Sequence, residues 1–127
     1  MVDGDVVREA SMRYGALLDG LQAVLEQQLG PLVWKKREDA RRVNDRVYGP
    51  SVEVGPIRGA GVALSLVDPV ELGRRVDDHL ALSGYPAAVM SYSPAGEVVY
   101  TAQLRPGAAL EIRVKGRVQA SVFSRLG

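Results

Sequence analysis

The sequence predicts an α+β fold, a two-layer sandwich in which two helices cover one face of an antiparallel sheet, in the order α-β-β-α-β-β-β-β. Three observations lead there. The stretch from Ala88 to Val122 divides at three glycine-bearing turns into four segments, each alternating apolar and polar residues with the period of a half-buried strand. Upstream of it, two stretches repeat apolar residues at spacings of three and four, which places them on single helical stripes. Each stripe, like the apolar row of the sheet, needs a partner surface to leave water.

The meander carries the most information. Its turns are Pro94-Ala95-Gly96, Arg105-Pro106-Gly107 and Lys115-Gly116-Arg117. One face is expected to collect Ala88, Met90 and Tyr92, then Val98, Tyr100, Ala102 and Leu104, then Ala108, Leu110, Ile112 and Val114, and finally Val118, Ala120 and Val122. The other collects Ser91, Ser93, Glu97, Thr101, Gln103, Glu111, Arg113, Lys115, Gln119 and Ser121, and is expected to look into solvent. Three-residue turns pair Ser93 with Glu97, Leu104 with Ala108 and Val114 with Val118, so cross-strand partners share a face. A slip of one residue would put an apolar row in water. The same register sets Glu97 opposite Lys115, an ion pair worth a few tenths of a kcal/mol.

Ahead of the meander, residues 1–5 are small and acidic and are expected to be disordered or vector-derived, leaving residues 6–127 as a single domain. A helix follows over Val6–Leu29, with Asp5 as N-cap, Gly30-Pro31 as stop, and Ala10, Tyr14, Leu17, Leu18, Leu21, Val24, Leu25 and Leu29 on its stripe. Gly15 and Gly20 each cost about 1 kcal/mol of helix propensity, so that helix must pack on something. Leu32–Arg37 predicts a short strand, with Trp34 capping the core. Residues 35–46, six basic and three acidic, are expected to form a solvated edge or loop, and an anion or partner patch is the alternative. Residues 47–60 hold Gly49, Pro50, Gly55, Pro56 and Gly59 and predict an irregular connection with at most a short strand near Val52–Val54. Gly61–Val67 alternates again and predicts a strand. Asp68-Pro69-Val70-Glu71 then opens a second helix with a cap, a first-turn proline and a capping-box glutamate. It carries Leu72, Val76, His79 and Leu80 inward and ends at Ser83-Gly84.

Composition limits the chemistry. Hydrophobic residues at 46% and charged residues at 24% of 127 suit a single globular domain, and a net charge of +1 gives no general attraction to nucleic acid or anionic membrane. With no cysteine there is no disulfide, thiol nucleophile or thiolate metal ligand, and with one histidine a zinc site lacks ligands. His79 has Asp77 and Asp78 beside it, but adjacent residues do not share a helical face, so it reads as a packed or rim histidine. The glycine-rich Gly55–Gly61 precedes a strand instead of opening a helix, the wrong order for a phosphate loop. Ser11, Ser51, Ser65 and Ser83 lack a nucleophile-elbow motif. No catalytic, cofactor-binding or metal residue is expected, and the reading is non-enzymatic. No run of about 18 apolar residues is present, and Met1-Val2-Asp3-Gly4-Asp5 lacks the basic and apolar regions of a signal peptide.

The candidate sites are for protein contact. Val89, Val99 and Phe123 interrupt the polar face, and if Arg113 and Phe123 flank Val99 they form a small mixed patch of the interface type. Tyr48, in sequence near Arg41, Arg42 and Arg46, is a second candidate. An apolar-ligand carrier, with lipid between helices and sheet, and a cytosolic adaptor are the alternatives.

Arg13-Tyr14 within a leucine-rich helix, Trp34 soon after it, a helix closing in Ser83-Gly84-Tyr85, and strands holding Pro106-Gly107-Ala108-Ala109-Leu110 and Val118-Gln119-Ala120-Ser121-Val122 form a pattern. Over roughly Arg13 to Val122 it resembles the small actinobacterial, notably mycobacterial, lipoproteins of the LppA-like type. The resemblance implies a domain tethered outside the membrane through an upstream lipidated cysteine, with no enzyme activity attributed. Phage genomes of these hosts also carry small lipoproteins, which extends the implication to immunity or exclusion. The sequence departs from the pattern in lacking a lipobox and the cysteines often seen after the tryptophan and near the C-terminus.

Overall fold

The computed structural model of the protein describes residues 3–61 and 68–126. Its elements are α1 (Asp3–Leu29), β1 (Val33–Lys35), β2 (Arg41–Asp45), β3 (Gly49–Ala60), α2 (Pro69–Leu82), β4 (Val89–Tyr92), β5 (Val98–Arg105), β6 (Ala108–Val114) and β7 (Arg117–Arg125). One antiparallel seven-stranded sheet has the order β1-β3-β7-β6-β5-β4, with β2 also on β3. The two helices and this sheet form the expected α+β sandwich. The strand expected over Gly61–Val67 falls almost entirely on residues 62–67, outside the described residues.

The sequence pattern of each helix explains its burial. α1 starts at Asp3, two residues ahead of the expected Asp5 cap, and buries Ala10, Tyr14, Leu17, Leu18, Leu21 and Leu25. It stops where Gly30 takes a φ of 83° and its N–H reaches the Glu26 carbonyl at 2.9 Å. In α2 the Asp68 carboxylate accepts from the backbone N–H groups of Val70 (3.1 Å) and Glu71 (3.2 Å). The return half of the capping box is not made, because Glu71 is drawn to Arg74 and Arg75 instead. Leu72, Val76 and Leu80 face inward.

Both helix glycines in α1 are places of close approach. A Cβ at Gly20 would lie 2.5 Å from the His79 ring of α2, so the half-buried histidine rests on the bare backbone of α1. A Cβ at Gly15 would lie 3.3 Å from Nη1 and Nη2 of Arg37. The lost helix propensity is offset by packing that any larger residue would disturb.

Two expectations between the helices are corrected. The supposed irregular connection is β3, twelve residues long and bonded to β7 along most of its length, and the supposed loop over 35–46 contains β2, which forms a hairpin with β3. Glycine and proline misled because of where they sit. Pro50 lies at the start of β3, and Gly55-Pro56 occupy the bulge where the register shifts between Val54 and Ile57. A residue without an N–H is tolerated there because the ladder is already interrupted. Gly59 lies under the Trp34 ring. Three strands, not two, therefore separate the helices among the described residues.

The meander register is as expected. Val89 pairs with Thr101, Ser91 with Val99, Tyr100 with Ile112, Ala102 with Leu110, and Val114 with Val118. One turn differs, since a bulge between Gln103 and Arg105 makes Arg105 the partner of Ala108. The Glu97–Lys115 pair does not form: Arg113 Nη1 donates to Glu97 at 3.0 Å, and Lys115 donates to the Ala95 carbonyl. Tyr100 and Ile112 are 1% and 0% exposed, with Val52, Val54, Ile57, Val118, Ala120 and Val122 beside them under the helices. Met90 and Tyr92 share that face yet stay exposed.

Ile112→Ala should lower unfolding free energy by about 2–5 kcal/mol, whereas Val89→Ala should change it by less than about 0.5 kcal/mol. Urea denaturation of both variants checks this, and equal losses would mean the sheet faces are reversed.

Candidate functional site: the outer sheet face and its free edge

On the face away from the helices, the register arranges side chains in three rows. The first holds Ser91, Val99, Arg113, Gln119 and Arg58; the second Val89, Thr101, Glu111 and Ser121; the third Ala109, Phe123, Glu53 and Arg41. Charges on this face are bonded to one another. Arg113 Nε donates to Glu111 at 2.6 Å, and Tyr48 Oη donates to Glu111 at 3.4 Å. Arg58 donates to Gln119 at 3.2 Å and to Glu38 at 2.7 Å. Glu53, only 8% exposed, accepts from Ser121 Oγ at 2.7 Å and from Arg41 Nη2 at 3.0 Å. A buried carboxylate without such partners would be strongly destabilising.

The expected solvent-facing polar face is therefore partly closed, and the candidate residues separate. Arg113 does flank Val99, but Val99 is buried between Arg113 and Glu97, which pair with each other. Phe123 does not flank Val99. It lies two rows away, about 13 Å along the strand direction at about 3.4 Å per residue, and is itself buried. Tyr48, expected as a separate site, is the group that covers it: the rings stack with centroids 4.9 Å apart. The β2–β3 turn delivers Tyr48 there, with Asp45 accepting from the Val47 and Tyr48 N–H groups at 2.8 and 3.0 Å. Of the five candidates only Val89, 69% exposed, is a freely accessible apolar side chain.

Val89 belongs to a different surface. β4 ends the sheet and, among the described residues, pairs only with β5. All four of its residues are exposed, including Met90 at 38% and Tyr92 at 62%. Between β4 and α2 runs a groove of about 290 Å³ whose lining is mostly apolar (Pro69, Val70, Ala88, Met90 and Tyr100 among it) but includes the charged Arg74 and Asp77. Its walls are tied together, because Tyr100 Oη donates to the Pro69 carbonyl at 2.5 Å and Asp77 accepts from the Ala88 N–H at 2.8 Å. The alternation of β4 places Met90 and Tyr92 on the core-facing row. The signal against their burial was Pro86 and Pro94, which bracket the strand as prolines bracket an edge.

The phenols report this packing. Burial, followed by the Glu111 carboxylate, pushes Tyr48 up to about 12 from 10.0. Burial, followed by Tyr92, Asp68 and Asp77, pushes Tyr100 up to about 12. A phenol raised on folding is held neutral, so its contribution to stability is full below pH 10 and is lost as pH rises toward 12. In a phenolate absorbance titration, Tyr48→Phe should remove one ionisation near pH 12. Loss of an ionisation near pH 10 instead would mean that Tyr48 is open to solvent.

Comparison of the chain with protein-family models, with curated proteins and with solved structures gives no match.

Proposed function

We propose that the protein is a non-enzymatic binding domain of the cell envelope that takes an extended segment of a partner protein along β4. One observation carries this reading. Of the exposed large hydrophobic residues, Val70 and Met90 line the groove, Tyr92 continues the Met90 face of β4 and Val89 projects from its other face, whereas Met12, Val33, Val47 and Leu82 lie elsewhere. Apolar surface beside strand N–H and C=O groups that are unpaired among the described residues suits strand addition, where main-chain bonds supply affinity and alternate side chains enter a groove.

The edge is short as well as open. Pro86 and Pro94 confine it to four residues without a guarding lysine, a length that admits a peptide strand but offers little to an extended aggregate. The tyrosine-bearing helix, the tryptophan and the glycine-closed second helix support the envelope assignment through the lipoprotein resemblance, and with it a role in phage immunity or exclusion. A cytosolic adaptor would use the same edge. A lipid carrier is less favoured, because Leu18, Leu21, Leu25, Leu72, Val76 and Leu80 are at most 1% exposed and fill the space between helices and sheet.

Selection of peptides from a random displayed library should yield sequences with alternating apolar residues that bind with micromolar affinity and shift the amide resonances of residues 89–92. Tyr92→Lys should weaken that binding by about tenfold, or about 1.4 kcal/mol, with thermal stability retained. Shifts centred on Tyr48 and Phe123, or no selected binder, would overturn the assignment.

A further inference from the structure

A second cleft, of about 470 Å³, lies on the opposite side of the molecule's sheet order, between α1 and residues 36–40 that join β1 to β2. Its origin is the bulge in β3. β1 pairs with Arg58–Ala60 and β2 with Gly49–Glu53, so the intervening chain passes residues 54–57 without a ladder bond to them among the described residues. It stands off as an arch. Trp34 anchors one end, its indole N–H donating to Glu26 of α1. Arg37 props the middle, Nη1 donating to the Gly15 carbonyl and to Asp19 Oδ1, each at 2.8 Å.

The walls carry polar groups that the fold does not use. Ser11 and Gln22, on the same stripe of α1 as Gly15 and Asp19, and Lys36 and Asp39, on the arch, all line the cleft. None of these four makes a side-chain hydrogen bond among the described residues. Nothing about the β4 edge involves them.

We propose that this cleft binds a neutral polyhydroxylated ligand of the saccharide class. Charge decides between ligand types. Lys35, Lys36 and Arg37 are balanced by Asp19, Glu38 and Asp39, so the formal charges of the lining cancel. A small anion would meet three carboxylates there, and a cation three basic groups. A hydroxyl both donates and accepts, and so satisfies Lys36 and Asp39 alike. Trp34 adds apolar ring surface at one end for the C–H face of a sugar. The volume lies within the usual small-ligand range of about 300–1,000 Å³, but the unbonded polar lining is unsuited to an apolar ligand.

Trp34 is the only tryptophan, so its emission reports on this cleft alone. Titration with glucose, N-acetylglucosamine, maltose and trehalose at constant ionic strength should give a saturable change with at least one of them, in the millimolar range. Gln22→Ala and Asp39→Ala, which remove no bond of the fold, should each weaken that binding by about tenfold, and Tyr92→Lys at the other site should leave it unchanged. A saturable response to sodium phosphate with none to the sugars would make this an anion site and overturn the proposal. So would the absence of any saturable response, or sugar binding indifferent to both cleft variants.

Discussion

The packing of α1 along β3 and β7 is the interaction on which the rest of the structure depends. Leu18, Leu21 and Leu25 are fully buried, and Leu18 Cδ1 lies 3.3 Å from where a Cβ on Gly55 would sit, so the helix crosses directly over the bulge of β3. Burial of a large aliphatic side chain contributes about 1.5–3 kcal/mol, against about 0–1 kcal/mol for an exposed ion pair. The apolar layer therefore holds the sheet, and the ion pairs arrange themselves around it. With β3 seated under α1 and bonded to β7, its other edge is left to receive β1 and β2 end to end. The chain between them must then span the bulge, and Arg37 and Trp34 hold that span against the helix.

The same layer explains why, among the described residues, one edge is bare. Six strands abreast span about 24 Å at about 4.8 Å each, whereas two helices side by side cover about 20 Å. α1 takes the β3–β7 side, and α2 packs against β5, where Gly73 lets Tyr100 approach, and leaves only an open groove toward β4. β4 lies beyond that cover. Its inward row, Met90 and Tyr92, has the alternation of a core strand without a roof. On the outer face the outcome is reversed. Charges bond to charges, Tyr48 stacks on Phe123, and apolar residues that looked accessible are enclosed.

The two surfaces left with unused capacity differ in kind. At β4 the unused groups are main-chain donors and acceptors next to apolar side chains, which suits an extended peptide. At the arch they are side-chain donors and acceptors of balanced charge around a tryptophan, which suits hydroxyl groups. Each arises where the helical layer or the sheet ladder stops short, and neither borrows residues from the other.

How much was legible follows from the range of the forces involved. Period-two alternation and glycine turns are local, so they determined the meander, its cross-strand pairs and the inward burial of Tyr100 and Ile112. The Asp68 cap and the leucine stripes determined the helices in the same way. What only the tertiary structure decided was contact between distant segments. Pro50 and Gly55-Pro56 look like breakers until β7 supplies the ladder that makes them a strand start and a bulge. Tyr48 looks solvated until the β2–β3 turn lays it on Phe123, and Met90 looks buried until the helices prove too narrow to cover it. A residue's alternation states which face it takes. Whether that face is covered depends on the reach of elements far away in the chain.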